Sequence, residues 1–240
     1  PDSTYLALLA DDDWWDERYL EHYIATVTTS DTDLAVAGIQ RYDVDHPEGR
    51  KLSIPKSLDI DDFLVGNPNL QGSNLFVRLS CFLRTGGFDE HLQSTTDRDF
   101  CIRLFESCEV RWSRIDTHLV HHNARNEGRL SDRGGTRKEA GLRAFADKHL
   151  IRMSADQRSQ FRERSKRLFE IDPLRVNENV HIEVPHSLPV CDGPDIEYEL
   201  TIAATITDKD RAESFLDEVD DFMQGFLRPW RLVVVLFRCR

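Results

Sequence analysis

The apolar pentapeptide YLALL, Tyr5–Leu9, is followed after a single alanine by three consecutive carboxylates, Asp11, Asp12 and Asp13. A run this short and this uniformly apolar reads as a buried strand. Ligands of open α/β sheets collect at the carboxyl ends of strands, which is where these acids fall. Three adjacent carboxylates repel one another, and a hard divalent cation with oxygen ligands would offset their charge. The plainer alternative is a solvated acidic turn capping the next helix, since most acid runs lie on the surface.

At about 150 residues per domain, 240 residues make one large domain or one domain and part of another. Asp and Glu total 43 against 31 Lys and Arg, a net charge of −12. Phosphate backbones need a basic patch, so no nucleic-acid partner is expected. The longest apolar runs, such as Leu232–Phe237, fall far short of the roughly 20 residues of a membrane span. No signal peptide is visible at the start. Cys81, Cys101, Cys108, Cys191 and Cys239 form no CxxC pair, and reduced thiols are the simplest expectation. The opening Pro1 and the closing LVVVLFRCR suggest a segment of something longer.

Periodicity then lays out the elements. Asp16–Thr28 reads as an amphipathic helix, Asp33–Asp45 as a strand and Asp59–Val65 as a short helix with acids in its first turn. Asn74–Val77 reads as a strand and Leu79–Thr85 as a helical turn ending at Gly86 and Gly87. Thr96–Ser107 reads as a helix capped by Thr95 or Thr96, and Val110–Trp112 and Thr117–His121 as two strands. Asn123–Gly135 reads as a loop, Arg137–His149 and Ala155–Phe169 as helices, and Asp172–Pro194 as a Pro-rich linker or extended arm. Strand Glu199–Thr207, helix Asp208–Phe226 and strand Arg231–Phe237 open a parallel α/β unit.

The segment YLALLADDDWWDERYLE resembles the metal-binding segment of family 2 glycosyltransferases with the GT-A fold, where an apolar strand ends in a DXD-type motif. Asp11 and Asp12 match its acidic pair, and Ala10 stands where many members have Asp. A second match lies in Asn74–Phe105: an apolar stretch with a basic residue, GGFDE unaltered at Gly86–Glu90, then an ED-type position occupied by Thr96-Asp97. Order and separation, roughly 85 residues between the acidic sites, make the pair of matches more specific than either alone. The resemblance covers about residues 1–135. It implies an α/β fold with an incomplete, Rossmann-like GT-A nucleotide-sugar transferase domain at 1–135; beyond it the residue patterns read as a helical segment and Pro-rich linker at 136–195 and a partial second βαβ unit at 196–240, the start of another α/β domain. The half of a GT-A domain that binds base and ribose would precede Pro1.

The resemblance also distributes roles. Asp12, assisted by Asp11 or Asp13, would hold Mg²⁺ or Mn²⁺ on the diphosphate of the donor, and Asp97 would take the proton of the acceptor hydroxyl. Asp89 and Glu90 would lie by the acceptor, a glycan or other hydroxyl compound. A late histidine, His121 or His122, would complete the metal site or meet the diphosphate, and Arg129, near Ser131 in a loop over the donor, would bind the diphosphate. The implied activity is metal-dependent, inverting, hexosyltransferase-type transfer from a nucleotide-diphosphate sugar in the cytoplasm, at most peripheral to a membrane, and is not expected of this piece alone. Residue types alone allow plainer roles: an N-cap for Asp97, a turn for Asp89 and Glu90, polar surface for the histidines, and an Arg103–Asp99 pair one turn apart. Trp14 and Trp15 divide between core packing and stacking on a sugar or base, and Asp208 or Asp210 would sit near a nucleotide if the second unit binds one. A degenerate transferase-like module that binds a glycan or protein is the non-enzymatic alternative, motivated by Ala10 and Thr96. A phosphoryl-transfer enzyme ranks last for want of a nucleophile motif.

Overall fold

The structure, a computed structural model, describes residues 4–107, 109–125, 133–174, 200–206 and 230–236, the last two stretches as backbone. Its elements in chain order are β1 (Tyr5–Ala10), β2 (Trp14–Trp15), α1 (Tyr19–Thr29), β3 (Leu34–Tyr42), β4 (Arg50–Lys51), α2 (Ile60–Val65), a 3-10 turn (Gly72–Asn74) and β5 (Leu75–Arg78). There follow α3 (Leu79–Thr85), α4 (Thr96–Ser107), β6 (Trp112–Asn123), α5 (Thr136–His149), α6 (Ala155–Phe169), β7 (Leu200–Ile206) and β8 (Trp230–Leu236). This is the mixed α/β class expected from the sequence. The helix expected at Asp208–Phe226, with Asp208 and Asp210, lies outside the described residues, as does the arm from residue 175 onward.

All the strands join one sheet in the order β2-β6-β3-β5-β1-β7-β8, with β4 on β3. β1 is parallel to β7 and antiparallel to β5, and β3 is parallel to β6 and antiparallel to β5. The unit read from the sequence as a second βαβ places both of its strands in this sheet, β7 beside β1 with Tyr5 opposite Leu200 and Ala10 opposite Thr205, and β8 beside β7.

Two apolar layers pack on the two faces of β1, β3, β5 and β6, and strand alternation assigns residues to them. Leu6, Leu34, Val36, Leu75 and Val77 pack with Phe63, Phe100, Phe145 and Phe161 from α2, α4, α5 and α6. Tyr5, Ala7, Ala35, Ala37 and Phe76 pack on the other side with Tyr19, Leu20 and Tyr23 of α1. Burial on both faces explains why YLALL is apolar throughout rather than alternating. Each large core side chain contributes about 1.5–3 kcal/mol by leaving water. Cys81 and Cys101 are buried as thiols in the first layer.

One expectation needs correction. Val110–Trp112 and Thr117–His121 are not two strands; β6 runs unbroken from Trp112 to Asn123. Its register against β3 slips at Gly38, so that Ala37 faces Ile115 and Gly38 faces His118. The polar Asp116-Thr117 pair sits in this irregularity, which is why the sequence looked interrupted. A Cβ on Gly38 would lie 2.7 Å from the His118 ring, so glycine permits the close approach. Among the described residues no helix is long and apolar enough to cross a membrane.

Candidate active site

The chain turns sharply as β1 ends. The Asp13 N–H donates to the Ala10 carbonyl at 3.1 Å, which closes a four-residue turn with Asp11 and Asp12 at its centre. Asp11 and Asp12 stay partly exposed, whereas the Asp13 side chain is only 2% exposed. Burial and the neighbouring Asp13 carboxylate push the Asp12 carboxyl above its ordinary range.

Asp13 is surrounded by hydrogen-bonding partners. Its Oδ2 accepts from Ser73 Oγ at 2.6 Å and from Gln71 Nε2 at 3.1 Å. Its Oδ1 accepts from the Asn123 N–H at 3.2 Å and pairs with His122 Nδ1 at 2.8 Å. Four contacts spread over two oxygens occupy most of the lone pairs of this carboxylate. Its role in the structure is to tie the end of β1 to the 3-10 turn and to the end of β6.

The same turn reaches Asp97. The Gly72 N–H donates to Asp97 Oδ1 at 3.0 Å, so the residues between Gln71 and Ser73 bridge the two carboxylates. Four further bonds anchor this bridge: Trp15 Nε1 to the Ser73 carbonyl at 2.9 Å, Tyr23 Oη to the Asn74 carbonyl at 2.8 Å, and Asn74 Nδ2 to the carbonyls of Ala37 at 2.8 Å and Asn69 at 3.1 Å. The sequence reading missed these residues. The NPNLQGSN stretch ahead of β5 carried the signal, since Asn-Pro and a Gly-Ser-Asn cluster mark an ordered turn.

Asp97 opens α4, where the helix dipole favours the ionised form. Burial opposes the dipole and wins: the carboxyl is pushed up to about 6 against the pull of the Gly72 N–H and Lys138. Thr95 does not cap α4 through an accepting hydroxyl. Its backbone is left-handed at φ 66°, and its hydroxyl donates to the carbonyls of Ser94 and Gly141. A β-branched residue rarely adopts this backbone, and here it stands two residues before Asp97.

Neighbouring candidates have other partners. Asp99 is fully buried between Arg103 Nε, Lys148 Nζ and His149 Nε2, each at 2.8 Å. Burial would raise its carboxyl, but these three contacts hold it far below the usual carboxylate range. Arg103 also donates to the carbonyls of Thr85 and Gly87, so the expected Arg103–Asp99 pair braces the GGFDE turn. Within that turn Gly86 takes φ 81° and caps α3. Asp89 pairs with Lys148 at 2.6 Å and Glu90 is exposed.

His121 and His122 point to opposite sides of β6, as consecutive strand residues must. His122 meets Asp13, whereas His121 stacks on Trp14 at 5.1 Å and bonds the Tyr42 hydroxyl through Nδ1 at 2.9 Å. Burial pushes the His121 imidazole below its ordinary range. Trp14 is 44% exposed beside the acids, and Trp15 stacks on Tyr19 at 4.1 Å, so the two tryptophans divide between platform and core. Arg125 lies over Tyr42, 5.5 Å from its ring centre. Arg129 and Ser131 lie outside the described residues.

Among the described residues no three His, Cys, Asp or Glu side chains converge as a metal-ligand set. The acids present suit the other way of holding Mg²⁺, through one or two carboxylates with phosphate oxygens of a substrate completing the shell. The fold and the site together define a mixed α/β protein whose carboxylates cluster at the carboxyl end of a central strand. No family model matches the sequence, and no curated protein matches it. Among solved structures the chain is similar to S. aureus TarS 1–349 in complex with UDP-GlcNAc, at 15% identity over 69% of this chain and 49% of that one, with a TM-score of 0.46. It is similar also to TarS 1–349 in complex with UDP, at 14% identity over 69% and 47%, with a TM-score of 0.43. The chain spans about half the length of these TarS structures.

Proposed function

We propose that this chain carries the acceptor-activating part of a glycosyltransferase that moves a sugar from a nucleotide-diphosphate donor to an acceptor hydroxyl, with inversion. The observation that carries this reading is Asp97: a carboxylate raised to about 6, lining a pocket, one short turn away from the strand-end acids. That value suits a general base working near neutrality. The resemblance in Tyr5–Glu21 and Asn74–Phe105 supplies the reaction class.

In the proposed step Asp97 accepts the proton of the acceptor hydroxyl as its oxygen attacks the anomeric carbon. The bond from that carbon to the diphosphate breaks, and the electron pair leaves with the diphosphate. The Gly72 N–H steadies Asp97, and Asp13 fixes the turn that carries Gly72. Asp12, with Asp11 beside it, would hold Mg²⁺ or Mn²⁺, which when bound supplies Lewis-acid stabilisation of the leaving diphosphate. Trp14 offers an aromatic face to the donor beside these acids, and Arg129 is assigned to its diphosphate. Asp89 and Glu90 are assigned to the acceptor side by the resemblance, although Asp89 is already paired with Lys148. The setting that goes with this activity is cytoplasmic.

In the complete protein, Asp97→Asn should lower turnover by about 10²–10⁴-fold, the usual share of a general base, while calorimetry shows donor binding unchanged. Near-native turnover would remove Asp97 from the mechanism. A second reading, a transferase-like module without catalysis, draws on the saturated Asp13 carboxylate and on Ala10 and Thr96. Titration with Mn²⁺ and UDP- or GDP-sugars separates the two readings, since metal-dependent donor binding favours the enzyme.

A further inference from the structure

Behind Asp97 lies a pocket of about 180 Å³ lined by Asn67, Thr95, Asp97, Arg98, Lys138, Arg164 and Phe169. Its charges do not balance. Three cations face one acid, and among the described residues no ion pair within 4.0 Å involves Arg98, Lys138 or Arg164. Arg98 is buried, donates to the Phe63 and Leu64 carbonyls at 2.7–3.0 Å and lies 4.2 Å from the centre of the Phe145 ring. Lys138 packs its ammonium over the Phe169 ring at 4.4 Å, and Arg164 is half-buried against Gly66. Cations held partly out of water without counter-charge are unfavourable unless something supplies it. Burial and neighbouring cations lower Lys138 to about 8 and Arg98 to about 9, so both remain charged at neutral pH.

We propose that this pocket binds the phosphate of a phosphomonoester acceptor, a hydroxyl compound whose free hydroxyl reaches Asp97 while its phosphate lies among Lys138, Arg164 and Arg98. With Asp97 ionised the pocket holds a net charge of about +2, which a phosphate monoester at −1.5 to −2 neutralises and a carboxylate does not. The donor diphosphate belongs to the other side of the Gly72 turn, by Asp11 and Asp12, so the two anionic groups do not compete. This inference rests on the glycosyl-transfer reading for the word acceptor, and on the pocket alone for the phosphate.

The test is calorimetry on the complete protein with glycerol 3-phosphate, glycerol and glycerate, followed by competition with UDP. Glycerol 3-phosphate should bind one to one and more tightly than either of the other compounds. Lys138→Met and Arg164→Met should each weaken it about tenfold, the worth of one charge-assisted hydrogen bond, and Lys138→Arg should restore most of it. Both variants replace side chains that reach out of the core, and thermal melts check that they fold. The proposal is overturned if both Met variants bind as the native chain does, if glycerol or glycerate binds equally well, or if UDP displaces glycerol 3-phosphate. A complete protein that binds glycerol 3-phosphate through Lys138 but binds no nucleotide sugar would sink the transferase reading and leave the phosphate site standing.

Discussion

At the scale of single residues, Asp97 shows a conflict between two local effects. Its place at the start of α4 favours charge, and its burial disfavours it; the outcome near 6 sets two measurable behaviours. The rate constant kcat/KM for transfer should fall about tenfold per pH unit below pH 6, as the base is protonated. Stability should respond in the opposite sense. A carboxyl whose folded value is raised contributes stability below its ordinary value near 3.8, and that contribution is lost as pH rises through about 6. Asp97→Asn should therefore melt at a higher temperature than the native chain at pH 7.5 and at the same temperature near pH 3.5. An equal melting difference at both values would show that burial does not set this group. The acid itself was legible in the sequence because GGFDE and Thr96-Asp97 stand at a recognisable spacing. Lys138, Arg98 and Arg164 were not, because a basic residue on a helix reads as solvated surface until the helices are packed together. Likewise the sequence could not say which of three adjacent aspartates turns inward; that depends on Ser73 and His122, which are distant in the chain.

Elements place these groups through close contacts. Helix α5 carries Lys138 and comes to the Ser94–Thr95 segment at Gly141, where an added Cβ would lie 2.5 Å from the Ser94 nitrogen and 2.9 Å from its Cα. Alanine in mid-helix gains about 1 kcal/mol over glycine by propensity. Forcing a methyl group against backbone costs roughly 1–3 kcal/mol, and the obstacle here cannot rotate away. Gly141→Ala should therefore destabilise the chain, by up to about 2 kcal/mol in a denaturant titration. It should also lower turnover, because Ser94 and Thr95 lead into α4 and Asp97. A stabilised variant would show that α5 and α4 can separate freely. The element types were readable from hydrophobic period almost throughout, since long amphipathic helices and short apolar strands differ in spacing. The two-residue strand β2 was not, because Trp14 and Trp15 pair with Val120 and His121 only after β6 is in place.

Over the whole molecule, the strand that ends in the acids lies inside the sheet and depends on both neighbours. β5 covers one edge of β1, and β7 covers the other along its full length. A chain ending at residue 174 would leave that second edge as a row of unpaired N–H and C=O groups, a template for association. It should melt at a lower temperature than the 240-residue chain, in which β1 is paired on both sides. A truncation with an unchanged melting temperature would mean that β7 and β8 add nothing to the sheet. This arrangement was out of reach of sequence patterns, which identify a parallel strand without saying which sheet it joins.

The pairing of Tyr5 with Leu200 also bears on synthesis. At the usual 5–20 residues per second, a ribosome releases β1 on the order of ten seconds before β7 exists. During that interval an apolar strand with an open edge is exposed to the cell, and it is a natural point of capture for a chaperone. Reordering the gene so that 200–236 is translated ahead of residue 4 would close that interval and should raise the yield of soluble protein.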